Sequence, residues 1–180
     1  MTAVIDTETT FFDEVMSVGI VVADCMDLTV LSTMYYVFPE QSSQPAMYSS
    51  VLYIEGQKVI HKNRAVAMEE IRKQLQDWDV TQIFAYNAGF DRSHLPELSD
   101  YVWKDIMKLA SYRQYNHAIP ADFPCCRTGK MKYGYGVEPV MRMLSEDPYY
   151  REVHNALCDA QDELRVMQLL GHSVETYPEI

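Results

Sequence analysis

Ala3-Val4-Ile5 is a short apolar run that stops abruptly at Asp6-Thr7-Glu8-Thr9-Thr10. Such a run suits a buried strand that delivers polar side chains to its tip. Residues two apart in extended chain point the same way, so Asp6 and Glu8 share one face. Two carboxylates held that closely repel unless a cation or a proton lies between them. Hard oxygen ligands of this kind suit Mg²⁺ or Mn²⁺. Taken alone, an Asp-x-Glu is equally what a solvated acidic strand end looks like.

The rest of the pattern alternates. Val15 to Ala23 and Leu28 to Phe38 are rich in Val, Ile, Tyr and Thr and predict two strands, joined by a hairpin at Asp24 to Asp27. Pro39 to Pro45 reads as a loop. Met68, Ile71, Leu75 and Trp78 follow helical spacing and predict a helix from Arg64 to Trp78. Gln82 to Tyr86 is a compact strand ending at Asn87, and Phe90 to Leu98 is helical with Pro96 near its end. Asp105 to Tyr115 starts as a strand or turn and continues as a helix, while 119–136, with its prolines and glycines, is an irregular loop. Leu157, Ala160, Leu164 and Met167 predict a helix from Asn155 to Leu170, stopped by Gly171. Strands first, then helices alternating with a strand, give a mixed α/β sheet in a single domain spanning 1–180.

Composition narrows the function classes. Acidic residues outnumber basic ones 26 to 15, a net charge of −11, which excludes nucleic-acid binding by bulk positive charge but not through metal ions or a local basic patch. No apolar run approaches membrane-spanning length, and the N-terminus lacks a signal-peptide pattern, so a cytoplasmic protein is expected. Cys25, Cys125, Cys126 and Cys158 show no zinc-ligand spacing and read as reduced thiols.

Two further acidic signals stand apart. In Ala85-Tyr86-Asn87-Ala88-Gly89-Phe90-Asp91 a hydrophobic strand ends and Asp91 opens a helix; in His154-Asn155-Ala156-Leu157-Cys158-Asp159 the acid falls in a first turn. Each alone could merely complement a helix dipole. Together with Asp6 and Glu8 the chain resembles the histidine branch (DEDDh) of the DEDD 3′–5′ exonucleases, whose ribonuclease H-like fold gathers four acids from three motifs. Asp6 and Glu8 match the first motif, Asn87-Ala-Gly-Phe-Asp91 the second, and His154 with Asp159 the third. Trp103-Lys104-Asp105-Ile106-Met107 resembles the acid-containing segment between motifs two and three. The sequence departs from the family by carrying Phe11-Phe12 where a glycine is usual.

The resemblance implies a ribonuclease H-like mixed sheet with flanking helices and a metal-dependent 3′–5′ exonuclease releasing nucleoside monophosphates. It implies two ions, Mg²⁺ or Mn²⁺, held by Asp6, Glu8, Asp91 and Asp159. Asp6 would bridge both ions, and His154 would be the general base. Thr7, Thr9, Phe11, Phe12, Asn87 and Phe90 would contact the terminal nucleotide of single-stranded DNA or RNA 3′ ends, the aromatic rings by stacking. DNA proofreading or repair and RNA trimming stay open, as do a homodimer and association with a polymerase or repair complex. The alternative from another class is a non-catalytic nucleic-acid-binding or scaffold domain of the same fold. Arg127, Lys130 and Lys132 with Tyr133 and Tyr135 form one basic, aromatic run, and Lys58, His61, Lys62 and Arg64 form another. Either could neutralise phosphates, or be ordinary solvated charge.

Overall fold

The computed structural model describes residues 1–180. Six strands form one mixed sheet: β1 (Thr2–Thr9), β2 (Val15–Ala23), β3 (Val30–Val37), β4 (Ile60–His61), β5 (Gln82–Ala85) and β6 (Val102–Asp105), in the order β4-β3-β2-β1-β5-β6. β2 runs antiparallel to both β1 and β3, whereas β5 pairs parallel to β1 and β6 parallel to β5. The helices are α1 (Pro39–Ser42), α2 (Arg64–Asp77), α3 (Gly89–His94), α4 (Met107–Ala110), α5 (Val137–Ser145) and α6 (Ala156–Leu170).

β2 is buried along its whole length and reads as a nearly continuous apolar run, and β1 is buried likewise from Thr2 to Ile5 before its polar tip. Ala3, Ile5, Val18, Ile20 and Val22 pack with Ala67, Met68, Ile71 and Leu75 of α2. Val4, Val21, Ala23 and Tyr35 pack on the opposite face with Val140 of α5 and Ala160, Leu164 and Met167 of α6. Each fully buried Val or Ile contributes roughly 1.5–3 kcal/mol, so this two-sided core fixes the register of β1. With Val4 facing α6, the alternation of the strand puts Asp6 and Glu8 on that face too.

The main differences from the sequence reading have local causes. Leu28 adopts φ 58 and the carboxylates of Asp24 and Asp27 accept amides two residues on, so β3 begins at Val30. Pro39, expected in a loop, starts a one-turn helix because its fixed φ suits a first helical position. The helix expected over Phe90 to Leu98 ends at His94: Leu95 precedes Pro96 and leaves the helical region, and a 3₁₀ turn follows at Pro96–Leu98. The strand expected to start near Asp105 instead ends there, and its following helix lasts one turn. α5 was not anticipated. Pro139 lies in its first turn, where a missing N–H costs nothing, and Gly136 caps it. No helix is long and apolar enough to cross a membrane.

Candidate active site

α6 begins where it does because Asn155 is anchored from both ends of its amide. Its Oδ1 accepts from the Cys158 amide at 3.3 Å, and its Nδ2 donates to the Tyr35 hydroxyl at 3.1 Å and the Val51 carbonyl at 2.9 Å. The first turn then lies directly on Gly19, the residue opposite Asp6 in the β1–β2 ladder. A Cβ at Gly19 would fall 2.1 Å from the Ala156 carbonyl oxygen, so no side chain fits there. This close approach carries Asp159 to the strand tip.

There, one carboxylate oxygen of Glu8, one of Asp159 and a ring nitrogen of His154 lie within 4.8 Å of one another. Asp91, only 2% exposed, reaches β1 from the start of α3, and its Oδ1 accepts both the Thr7 amide (3.1 Å) and the Thr7 hydroxyl (2.8 Å). Thr7 is thereby committed to holding Asp91. Asp105, itself buried, accepts the amides of Asn87 (3.1 Å) and Met107 (3.0 Å) and steadies Asn87 at φ 63. His154 also has a left-handed backbone, φ 60, and its ring stacks on Tyr48 with centroids 4.1 Å apart.

A fifth carboxylate enters from the same helix. Glu163 lies one turn beyond Asp159 and is 2% exposed. Nothing in the motifs points to it; the signal was the i, i+4 spacing from Asp159, which places both on one helix face. Asp6 Oδ2, Asp159 Oδ1 and Glu163 Oε2 are each sealed from solvent with no hydrogen-bond partner. None of the five acids forms an ion pair with Lys or Arg.

Their proton affinities follow. Burial pushes Glu8 up to about 8, helped by the Asp159 carboxylate, and pushes Asp159 up to about 7, helped by Glu152. Burial, then Glu163 and Asp91, holds Asp6 well above the ordinary range, and burial followed by Asp91 does the same to Glu163. Asp91 is raised by burial against the opposing Thr7 hydrogen bonds. Orphaned, sealed oxygens on mutually repelling acids form an oxygen donor set that fits hard divalent cations.

The aromatic residues expected at the terminal nucleotide stand outside the core: Phe11 is 64% exposed, Phe12 69% and Phe90 40%. The Thr10 hydroxyl accepts the amides of Phe12 and Glu14, which tightens the loop and turns both rings outward. His94 joins this loop to α3, with Nε2 3.0 Å from Asp13 and its ring against Phe90. Thr9 is half-buried at the end of β1. Of the two basic runs, the one at 58–64 is partly spent internally, since Lys62 pairs with Glu70 and Arg64 with Glu97.

By sequence alone, no family model and no curated protein matches the chain. By structure, it is similar to the nuclease domain of 3′hExo, a DEDDh family member bound to rAMP, with a TM-score of 0.67 and 14% identity over 99% of this chain and 95% of that one. It is also similar to a 3′-exonuclease solved for 3′-end recognition of histone mRNA stem-loop (TM-score 0.65, 14% identity, 99% of this chain and 89% of that chain). Exonuclease I from Methylocaldum szegediense superposes at 0.62 with 15% identity over 94% of this chain, which spans 40% of that longer one. The six-stranded mixed sheet with its flanking helices has the fold of the DEDDh 3′-exonucleases.

Proposed function

We propose that the protein is a divalent-metal-dependent 3′–5′ exonuclease releasing nucleoside monophosphates from the 3′ ends of single-stranded DNA or RNA. The observation that carries this reading is the set of sealed, unpartnered oxygens on Asp6, Asp159 and Glu163 beside the Glu8–His154–Asp159 grouping. A domain that only held nucleic acid would gain nothing from burying acids that repel both one another and a phosphate. Asp6, Glu8, Asp91 and Asp159 hold two Mg²⁺ or Mn²⁺ ions. Bound there, the cations neutralise charge developing at phosphorus and make water a better nucleophile.

The remaining roles belong to the chain itself. His154 takes the proton of the attacking water, and its stack on Tyr48 orients the ring. Thr7 keeps Asp91 turned inward through its two hydrogen bonds. Phe11, Phe12 and Phe90 offer exposed rings to the terminal base, and Thr9, next in sequence to Glu8, and Asn87, at the head of the segment that ends in Asp91, serve its sugar and phosphate. The test is digestion of matched 5′-labelled DNA and RNA oligomers with Mg²⁺, with Mn²⁺ and with EDTA. Stepwise shortening from the 3′ end that EDTA abolishes is expected; intact oligomers under both metals would overturn the reading.

A further inference from the structure

The segment after Phe123, irregular in sequence, folds as a small hairpin. The Cys126 amide donates to the Lys130 carbonyl (2.7 Å), the Lys132 amide donates to the Pro124 carbonyl (3.1 Å), and Gly129 turns the chain at φ 87. Met131 is 1% exposed and points into the protein, its amide donating to the Ser111 carbonyl. The alternation of extended chain then turns Lys130 and Lys132 outward together, with Arg127 at the exposed tip.

Three cations thus stand within six residues, and none of them forms an ion pair. No carboxylate lies between Asp122 and Glu138, and Glu138 is already occupied by Arg142 and Arg151. Beside the cations stand Tyr133, 58% exposed with its ring against Phe123, and Tyr135, 37% exposed with Lys130 Nζ 4.8 Å over its ring. The hairpin is also tied to the candidate site: the Tyr86 hydroxyl donates to the Tyr135 carbonyl at 2.6 Å, and Tyr86 directly precedes Asn87. Elsewhere, Lys62, Arg64, Arg72, Lys104, Arg142 and Arg151 are paired with acids.

We propose that the 124–135 hairpin is the strand-binding arm of the protein, holding the phosphates of single-stranded nucleic acid upstream of the nucleotide being removed, with Arg127, Lys130 and Lys132 as its charges and Tyr133 and Tyr135 as its stacking platforms. The inference rests on the exonuclease reading for its substrate class. On a chain of net charge −11, a local unpaired patch is where a polyanion can gain contacts without meeting carboxylates. Stacking on exposed tyrosines is tolerant of sequence and suits an enzyme that meets any 3′ end.

The experiment measures binding without cleavage. Fluorescence anisotropy in EDTA follows dT and U oligomers of about ten nucleotides, within the usual footprint of such grooves, across a salt series. The variant Arg127→Gln/Lys130→Gln/Lys132→Gln should lose about tenfold or more in affinity. Its plot of log affinity against log salt should flatten by about 2, from about 0.7 per phosphate contact on a single strand. Lys73→Gln/Arg165→Gln, exposed cations on α2 and α6, should change neither quantity. Lys132→Glu alone, at an exposed position, gives the same loss without endangering the fold. Cleavage of a small chromogenic nucleotide ester by the triple variant should equal that of the parent. Unchanged affinity and slope in both hairpin variants would overturn the arm while leaving the exonuclease reading intact. A parent protein that binds through the hairpin yet never shortens an oligomer would support the arm and overturn the exonuclease.

Discussion

Asp91 and Thr7 are joined by two hydrogen bonds across 84 residues of sequence, one from the Thr7 amide and one from its hydroxyl. The backbone of the first motif thereby holds the carboxylate of the second. Thr7→Val keeps the shape and removes one donor from a buried acid, a loss of about 1 kcal/mol. Affinity for Mn²⁺, measured by calorimetry, should weaken about fivefold, and Thr7→Ser should restore it. Equal affinities in all three proteins would show that Asp91 is positioned by something else.

After burial, Glu163 is the strongest influence raising the proton affinity of Asp6, and Asp91 does the same to Glu163, with no Lys or Arg paired to any of the three. Neutralising either should relieve the metal-free fold. At pH 8 in EDTA, Glu163→Gln and Asp6→Asn should each melt roughly 2–4 °C higher than the parent, equivalent to about 1 kcal/mol in a domain this large. Asp6→Asn should also abolish exonuclease activity. A lower melting temperature in both variants would refute the repulsion.

The raised carboxyls set a direction for pH. Glu8 rises from 4.5 to about 8 and Asp159 from 3.8 to about 7 on folding, so between those limits the folded chain holds protons that the unfolded chain has released. Their contribution is complete below about pH 4 and disappears as pH climbs through about 7 to 8. Each retained proton gives a slope of roughly −1.4 kcal/mol per pH unit. Metal-free protein should therefore melt at falling temperature from pH 5 to 8, and saturating Mn²⁺ should flatten the curve. Scanning calorimetry with and without the ion checks both.

His154→Ala should lower turnover roughly a hundredfold, the usual size of a lost acid–base group. Mn²⁺ affinity should hold, because the carboxylates supply the ligands. Affinity that collapses with the fold intact would make the imidazole a ligand of the Glu8–Asp159 grouping instead.

Phe11→Ala and Phe12→Ala remove rings that are already in solvent, so stability should change by less than about 0.5 kcal/mol. The Michaelis constant for short oligomers should rise several-fold with turnover retained. No change in either kinetic parameter for the double variant would remove both rings from the substrate site.

What could be read in the sequence follows from burial. β2 and the Ala3–Ile5 stretch of β1 are buried on both faces and so announce themselves as apolar runs, and α2 and α6 each carry one apolar stripe. β4 has two residues and no pattern of its own; it exists because it pairs with Tyr36 and Val37 of β3. α5 was hidden by Gly136 and Pro139, two residues that usually end helices and here begin one. At the candidate site, the acids of the three motifs stood out only through the family resemblance, since an acid at a strand tip or a helix start is equally what solvated or dipole-complementing charge looks like. Glu163 was not, since an acid beside Asp162 on a long helix reads as solvated surface until the sheet opposite is known. The Tyr48–His154 stack depends on a loop whose path no local pattern encodes.

Gly19 shows how far the site depends on what is missing. The hydrogen atom in place of a methyl lets Ala156 lie against β2, and the distance from helix to strand is transmitted to Asp159 on the helix and Asp6 on the neighbouring strand. Gly19 contributes no side chain to the acid cluster, yet it serves as the gauge block of the assembly: its thickness sets the gap across which the acids face each other. The acid cluster at the strand tip is in this sense calibrated from the middle of the sheet, at a position where any added atom would be read as a change in the tool and not in the wall.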